Sequence, residues 1–520
     1  MIDRPETALQ SAILASKIYT KQELCLLEQI PEPCGIIIFG ASGDLAHRKL
    51  LPSLFRLSLA GLMPKQFYVL GVARTGMTNE SFRQKIKESL PEEAISPAMQ
   101  KFLDRCYYAA GDYSSPSLYQ SLKNAISDLD KKYSIEGRRV FYLSTPPSLY
   151  SDIVSQLGAS KLAYASSDHE KCWTRVIIEK PFGTSLTSAI KLNSEIKNFL
   201  TEKQIYRIDH YLAKETVQNI LMFRFANIIF EPIWNRNYID HIQITASEQL
   251  GVEHRAGYYE QAGVIRDMFQ NHLLQLMALI AMEPPTSLEA DAVRSKRSDV
   301  LDSIKQLRSL ELLDDVICGQ YGHGTMNGKK VIGYREEEGV HSLSRVPTFA
   351  AIKFEIDNWR WQGIPFFIRC GKRMSERLVE IAVHFKHVPT SIFKPLLADQ
   401  LSPNVLKFRI QPDEGITMNF EAKHPGPKLC MSTVTMNFGY KDTFKTPMPE
   451  SYARLFQDSM LGDQTLFART DGVEQSWRIV DPIIESWEND DRSIPIYPAG
   501  SWGPIESQKL MERYGRSWDQ

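Results

Sequence analysis

Residues 35–46 read GIIIFGASGDLA, and this stretch decides the fold. Ile36 to Phe39 form an unbroken apolar run, Gly40 and Gly43 frame a turn, and residues 45–59 space their apolar side chains as a helix does. An unbroken run, unlike an alternating one, suits a strand buried on both faces, which calls for a parallel sheet covered by helices. Runs of the same kind predict further strands at 67–72, 106–110, 140–143 and 176–179, separated by helix-like stretches. The expected first domain is an α/β, Rossmann-like dinucleotide-binding fold over 35–206.

Beyond residue 206 the texture changes. A long apolar helix is expected over 264–281, and residues 349–356, 380–385 and 405–410 alternate apolar with polar side chains. Alternation implies strands with one covered face and one different face, as in an antiparallel sheet. The second domain, 207–520, is therefore expected to be α+β with a large, mainly antiparallel sheet. Residues 1–34 precede the first strand and read as an extension with a short helix over 7–18.

The chain has 520 residues, too many for one ordinary core, and 43% hydrophobic with 24% charged residues is the balance of a globular protein of two large domains. A net charge of −1 provides no global field for nucleic acid or an anionic membrane, so an anionic ligand must be gripped by a local cluster. The seven cysteines, Cys25, Cys34, Cys106, Cys172, Cys318, Cys370 and Cys430, are scattered without a C-x-x-C pair, which points to reduced thiols rather than a disulfide frame or a metal site. No apolar run approaches the roughly 20 residues of a membrane span, and MIDRPET at the N-terminus lacks the basic-then-apolar order of a signal peptide. A cytoplasmic protein is expected.

Glycines at 40 and 43 let the backbone turn and approach a pyrophosphate at the start of a helix, so Gly40, Ala41, Ser42, Gly43, Asp44 and Leu45 are the candidate cofactor contacts. The spacing, G-x-x-G-x-x-A, is also that of a plain glycine turn, and no Gly-Lys-Ser/Thr ends it as in a Walker A loop. The end of the second strand says more. Residues 71–76 read GVARTG, with Arg74 where an NAD site would present Asp or Glu to the ribose. A cation there accepts a 2′-phosphate that a carboxylate would repel, so the expected cofactor is NADP; an ordinary exposed arginine is the competing reading. Residues 179–183, EKPFG, place Lys180 at the carboxyl edge of a strand, where open α/β sheets bind ligands, and make the 180–181 bond a candidate for cis.

Residues 207–215, RIDHYLAKE, set an acid, an imidazole, a phenol and an ammonium within six positions. If a helix begins near Tyr211, His210 and Lys214 share a face near its N-terminus, where an anion such as phosphate is favoured, and Asp209 is left for another task. For a lone D-H-x-x-x-K the ordinary reading is an aspartate N-cap with exposed neighbours. Oxidising an alcohol needs a base for the hydroxyl proton, and eleven histidines compete for that role. His272 lies on an apolar helix with Met268, Leu276 and Leu279 on its face, so a satisfied core histidine is the plain alternative. The second Asp-His pair, Asp240-His241, sits in an alternating strand and reads as structural.

Taken together, GASGDLA (40–46), EKPFG (179–183), RIDHYLAKE (207–215), IRDMFQNHLLQ (265–275), RCGK (369–372) with Arg377 beyond it, and GSWGP (500–504) resemble the glucose-6-phosphate dehydrogenase family from about Ile36 to the C-terminus. Two positions depart from the pattern: Ala213 stands where the family signature has glycine, and His47 where many relatives have lysine. The resemblance implies NADP-dependent oxidation of glucose 6-phosphate in the oxidative pentose phosphate pathway, with His272 as general base and Asp209 as its orienting carboxylate. It implies His210, Tyr211 and Lys214 at the 6-phosphate, Glu248 and Asp267 at sugar hydroxyls, and Lys180, Lys372 and Arg377 completing the substrate pocket. It assigns Arg74 and Thr75 to the 2′-phosphate, Lys49 to the junction of cofactor and substrate, and Lys180 to both substrate and nicotinamide. It further implies a homodimer, or a dimer of dimers, assembled through the broad sheet. No second, structural NADP is expected, because Leu378 and Ala382 stand where the animal members of the family place cations.

Overall fold

The computed structural model describes residues 29–90, 97–163, 172–388, 401–427, 430–445 and 450–519. The helix expected over 7–18, with most of the 1–34 extension, lies outside the described residues. The chain forms two compact units, the first drawn from Met1–Tyr142, Ser166–Thr174 and Phe456–Gly462, the second from Leu143–Ala165, Arg175–Leu455 and Asp463–Gln520.

In the first unit β1 (Cys34–Phe39) pairs in parallel with β2 (Phe67–Ala73), Ile36 opposite Val69 and Phe39 opposite Val72. β2 pairs in parallel with β3 (Cys106–Ala110), and β4 (Arg139–Leu143) completes the order β4-β1-β2-β3. Ile36, Ile37, Ile38 and Phe39 are all fully buried, as an unbroken apolar run requires. After the glycine turn a π-helical turn, Ala46–Leu50, leads into α1 (Leu51–Leu59), which buries Leu51, Leu54 and Phe55. The next helix, α2 (Asn79–Ser89), is capped by Thr78, whose hydroxyl accepts from the Ser81 amide at 3.2 Å, and it buries Phe82 and Ile86. Gly71 is required where Phe82 meets the glycine turn: a Cβ there would stand 2.7 Å from the Phe82 ring and 2.8 Å from the Ala41 methyl.

In the second unit β5 (Thr174–Ile178) and β6 (Ile205–Ile208) run parallel. The chain then passes through α3 (Glu215–Phe225) to β7 (Ile239–Ser247), a central strand of a nine-stranded sheet. Its other members are β8 (Val316–Gly322), β11 (Phe349–Glu355), β12 (Pro365–Gly371), β13 (Leu378–Phe385), β14 (Val405–Gln411), β15 (Gly415–Lys423), β16 (Met431–Gly439) and β18 (Ile496–Pro498), with β9 (Gly324–Met326) and β10 (Lys329–Val331) forming a separate hairpin. The order is β16-β15-β14-β13-β7-β12-β11-β8-β18; β7 with β12 and β8 with β18 are parallel, and the other neighbours are antiparallel. A two-residue strand, β17 (Phe467–Ala468), pairs antiparallel with β6. The architecture is a Rossmann-like α/β region followed by an α+β region with a large, mainly antiparallel sheet.

Two expectations of local structure change. The alternation in β11 and β13 does not mark an exposed face, since both strands are buried almost throughout. Their polar side chains are buried and paired: Lys353 with Asp315 at 3.0 Å, and Glu380 with Arg409 at 3.4 Å. The same holds next door in β12, where the Arg369 guanidinium donates to the Asp519 carbonyl at 2.7 Å and lies between the Trp502 and Trp518 rings. The helix expected over 264–281 is segmented. α4 (Ala256–Val264) carries a non-helical Gly263 at φ 58°, a π-helical segment Ile265–Leu273 follows, and α5 (Leu274–Ala281) completes the run. The i→i+5 bonding of the π-helical segment widens its turn, and from this one segment Asp267 bonds Lys180 and His272 bonds Asp209.

Candidate active site

In the first unit the Gly40 amide donates to the Val72 carbonyl at 2.8 Å and the Gly43 amide to the Gly40 carbonyl at 2.9 Å, closing the turn at the carboxyl end of β1. Gly40 has φ 84°, a left-handed conformation that glycine adopts without strain, and a Cβ on Gly43 would stand 3.2 Å from the Gly40 oxygen. Such a turn leaves a cradle of backbone at a helix start, and the residues present fit a dinucleotide pyrophosphate. Beside it, the Thr75 hydroxyl donates to Ser42 Oγ at 3.3 Å, and Arg74 is exposed at the end of β2. Asp44 pairs with Arg48 at 3.2 Å on the surface, and Lys49 is exposed on the same turn of helix. His47 is half-buried, its pKa lowered by burial and by Lys85.

In the second unit β6 ends at Ile208 and delivers Asp209 into the interior. Asp209 Oδ1 accepts from the Tyr211 amide at 3.0 Å and lies 2.6 Å from His272 Nδ1, and both side chains are almost wholly buried. Residues 209–214 form consecutive turns, Leu212 amide to Asp209 carbonyl at 3.1 Å and Lys214 amide to Tyr211 carbonyl at 3.1 Å, and α3 starts only at Glu215. The helix expected from Tyr211 is therefore absent, and the aspartate closes a local turn instead. The rings still converge: Tyr211 stacks on His272 at 4.3 Å between centroids, and His210 meets His272 edge-on at 4.5 Å. Lys214 Nζ lies 4.6 Å from the Tyr211 ring centroid and donates to Gln411 Oε1.

Charge is paired around this core. Lys180, in a bond to Pro181 that is cis, donates to the Asp267 carbonyl at 3.0 Å and to its Oδ1 at 3.2 Å, where the Tyr258 hydroxyl also donates at 3.1 Å. Lys372 meets Glu248 at 2.5 Å and lies 5.1 Å from the Tyr259 ring centroid. Burial alone would raise the Asp267 pKa, but Lys180 and Lys372 hold it well below the usual carboxylate range. Burial lowers the pKa of both His210 and His272. Asp209 sits at about 2: burial acts to raise it, and the field and hydrogen bond of His272 more than offset that. With His272 neutral, its Nδ1–H donates to the Asp209 carboxylate and the lone pair falls on Nε2, which has no partner among the described residues. Lys214 is lowered to about 8, first by burial and then by the Arg377 guanidinium.

Residues 37–219 match the family model described as "Glucose-6-phosphate dehydrogenase, NAD binding domain", and residues 221–519 match "Glucose-6-phosphate dehydrogenase, C-terminal domain". The chain belongs to the glucose-6-phosphate dehydrogenase family. It is 45% identical over 493 residues to a glucose-6-phosphate 1-dehydrogenase of Chlamydia pneumoniae, covering 94% of this chain and 96% of that one, and 44% identical over 489 residues to that of Aggregatibacter actinomycetemcomitans, covering 94% and 97%. A solved glucose-6-phosphate dehydrogenase in complex with its substrate glucose 6-phosphate superimposes with TM-score 0.86 at 35% identity, covering 95% of this chain and 99% of that one.

Within this member of the glucose-6-phosphate dehydrogenase family the second unit thus gathers Lys180, Asp209, His210, Tyr211, Lys214, Glu248, Asp267, His272 and Lys372 from β5, β6, β7, the π-helical segment and β12 or the turns that follow them. Arg377 is exposed in the turn before β13. Several participants escaped the sequence reading. Gln411, the partner of Lys214, ends an alternating strand 197 positions away and carries no local signal. Tyr258 lies nine residues before Asp267 and looks like any core aromatic. In the first unit Tyr113 sits beside the glycine turn, its hydroxyl 3.1 Å from the Gly40 amide. GSWGP, quoted only as a family mark, braces the loop of Lys372: the Gly500 amide donates to the Arg373 carbonyl at 2.8 Å, the Ser375 amide to the Ser501 carbonyl at 3.0 Å, and the Tyr497 hydroxyl to the Lys372 carbonyl at 2.6 Å. Asp240-His241, expected to be structural, is tied to Arg516 at 2.9 Å and stacked on His384 at 4.1 Å.

Proposed function

We propose that this chain oxidises D-glucose 6-phosphate at C1 to 6-phospho-D-glucono-1,5-lactone with NADP, the first step of the oxidative pentose phosphate pathway, and that it does so in the cytoplasm as a homodimer or dimer of dimers. The observation that carries this reading is the buried 2.6 Å contact of His272 with Asp209, together with an Nε2 that has no protein partner. In this reading His272 Nε2 takes the C1 hydroxyl proton, and the ionised Asp209 holds the ring in the required tautomer and stabilises the imidazolium that forms. His210, Tyr211 and Lys214 bind the 6-phosphate. Glu248 and Asp267 accept from sugar hydroxyls, and Lys372 and Lys180 hold those carboxylates in place; Arg377 adds positive charge at the phosphate end. NADP, when bound, supplies the hydride acceptor. Gly40, Ala41, Ser42, Gly43, Asp44 and Leu45 would hold its pyrophosphate end, Arg74 and Thr75 its 2′-phosphate, Lys49 would lie at the junction of cofactor and substrate, and Lys180 would meet both substrate and nicotinamide. In this reading residues 35–206 serve cofactor binding and 207–520 substrate binding and dimerisation, while the two family models meet later, at residues 219–221.

The test is the near-ultraviolet absorbance of reduced cofactor, followed with glucose 6-phosphate, glucose and galactose 6-phosphate, each with NADP and with NAD at equal concentration. Reduction fastest with glucose 6-phosphate and NADP is the expected result. Equal rates with phosphorylated and free glucose would sink the substrate assignment, and equal rates with both cofactors would sink the NADP assignment.

A further inference from the structure

Four arginines of the second unit are almost wholly buried near the end of β6 or on the helices behind it, and three of them meet a carboxylate directly. Arg207 pairs with Glu202 at 2.7 Å, Arg224 with Glu231 at 3.0 Å and Arg294 with Asp291 at 2.6 Å. Arg297, on α6 (Ala290–Asp302) and 4% exposed, is different. Its Nη2 donates to the Phe467 carbonyl at 3.0 Å, its Nε has no partner, and among the described residues no carboxylate lies within ion-pair distance of it. A buried charge without a counter-charge is strongly destabilising, so the field around Arg297 has to be balanced from somewhere.

The backbone shows where. Phe467, which Arg297 grips, is the β17 residue paired with Ile208, and the next residue after Ile208 is Asp209. Asp209 has the complementary deficit, since its Oδ1 serves both His272 and the Tyr211 amide while its buried Oδ2 has no partner among the described residues. The charged groups that act on Arg297 are Arg294, Asp209, Arg469 and Asp471. Asp471 is already bonded to Arg469 at 2.7 Å and to Ser298 at 2.9 Å, and Arg294 to Asp291 and Gln464. Asp209 is the carboxylate left with an uncommitted oxygen.

We propose that Arg297 is a positioning residue for the Asp209–His272 pair, its guanidinium adding to the field of His272 a second, buried counter-charge for Asp209. This rests on the reading of His272 as the general base. Arg297 touches neither the sugar nor the imidazole. It keeps the carboxylate able to accept the Nδ1 proton, and it moderates the negative field of Asp209 on the imidazole so that the ring stays neutral with its lone pair on Nε2. Among the described residues the other charged and titratable groups facing that pair are Tyr211, His210, Lys180 and Asp267 around His272, and Tyr211, His210 and Lys214 around Asp209. Removing the guanidinium strengthens the negative field on His272, favours the imidazolium and raises the pKa of the base.

The experiment has two arms. In the first, pH profiles of kcat/KM are compared for wild type, Arg297→Met and Arg297→Lys. The acid limb is expected to move upward by about half to one pH unit in Arg297→Met and to stay in place in Arg297→Lys, which keeps the charge. A limb that does not move in Arg297→Met, whatever happens to turnover, overturns the proposal, because loosened packing alone lowers turnover without moving a titration. In the second arm, thermal midpoints are measured for Arg297→Met, Asp209→Asn and the double variant. Each single variant leaves one charge uncompensated, so the double variant is expected to be more stable than additivity allows, by at least about 1–2 °C. Additive losses overturn the pairing. The second arm needs no substrate, so a wild type inactive on glucose 6-phosphate would defeat the assigned activity without deciding the Arg297–Asp209 coupling.

Discussion

His272 is wholly buried, and its ring has one hydrogen-bond partner among the described residues, Asp209, so its expected contribution is chemical rather than adhesive. His272→Ala should lower turnover by about 10²- to 10⁴-fold while leaving the KM for glucose 6-phosphate nearly unchanged; normal turnover with a large rise in KM would transfer the base role elsewhere. Burial lowers the histidine pKa from 6.5, so the base is neutral across ordinary pH, and the acid limb of wild-type kcat/KM should lie below that value. Lys214 gives the opposite sign. Its ammonium titrates at about 8, so phosphate affinity should fall as pH rises through that value; KM measured from pH 7 upward should show the rise, and Lys214→Arg, always charged, should abolish it. Arg74→Ala should weaken NADP by roughly 10- to 150-fold and leave NAD nearly untouched, as paired titrations of the two cofactors would report. The types of these residues and their motifs were readable in sequence. Their partners were not: Asp209 meets His272 across 63 positions and Lys372 meets Glu248 across 124, and no local pattern encodes such distances.

Elements decide how firmly those residues are held. The loop of Lys372 is clamped by the GSWGP turn, and that turn depends on Gly503, which sits at φ 102° with its missing Cβ position 2.4 Å from the Phe349 ring. Phe349 in turn lies 5.6 Å from Tyr497, whose hydroxyl holds the Lys372 carbonyl. Gly503→Ala should therefore cost about 1–3 kcal/mol through overpacking and backbone strain and also raise KM for glucose 6-phosphate; thermal melts and initial rates check the two effects together. An unchanged KM in the destabilised variant would separate the brace from the site. The glycine turn was legible because strand, turn and helix follow one another directly, and it needs no distant partner to be recognised. The π-helical segment was not. Its apolar residues satisfy a 3.6-residue period well enough to read as one long helix, and nothing in that spacing marks the change to i→i+5 bonding.

At the scale of the molecule the nine-stranded sheet leaves β16 at one edge with Met436 and Val434 exposed, a surface suited to the expected subunit contact. Met436→Lys should shift the sedimentation of the protein toward the monomer; an unchanged profile would move the interface elsewhere on the sheet or remove it. By itself the sequence determined the fold class, the parallel strands of the nucleotide-binding region and the cofactor turn, and the substrate motifs were assigned through their resemblance to the family. The first three follow from periodicity and spacing within a few dozen residues, where side-chain direction is set by the local backbone. Only the tertiary structure decided that β11 and β13 are covered on both faces, that residues 209–214 turn rather than coil, and that Gln411, Tyr258 and Arg297 stand around the motif residues. Burial and pairing depend on what another segment brings to the same place, and that is a property of the packed chain rather than of any stretch within it.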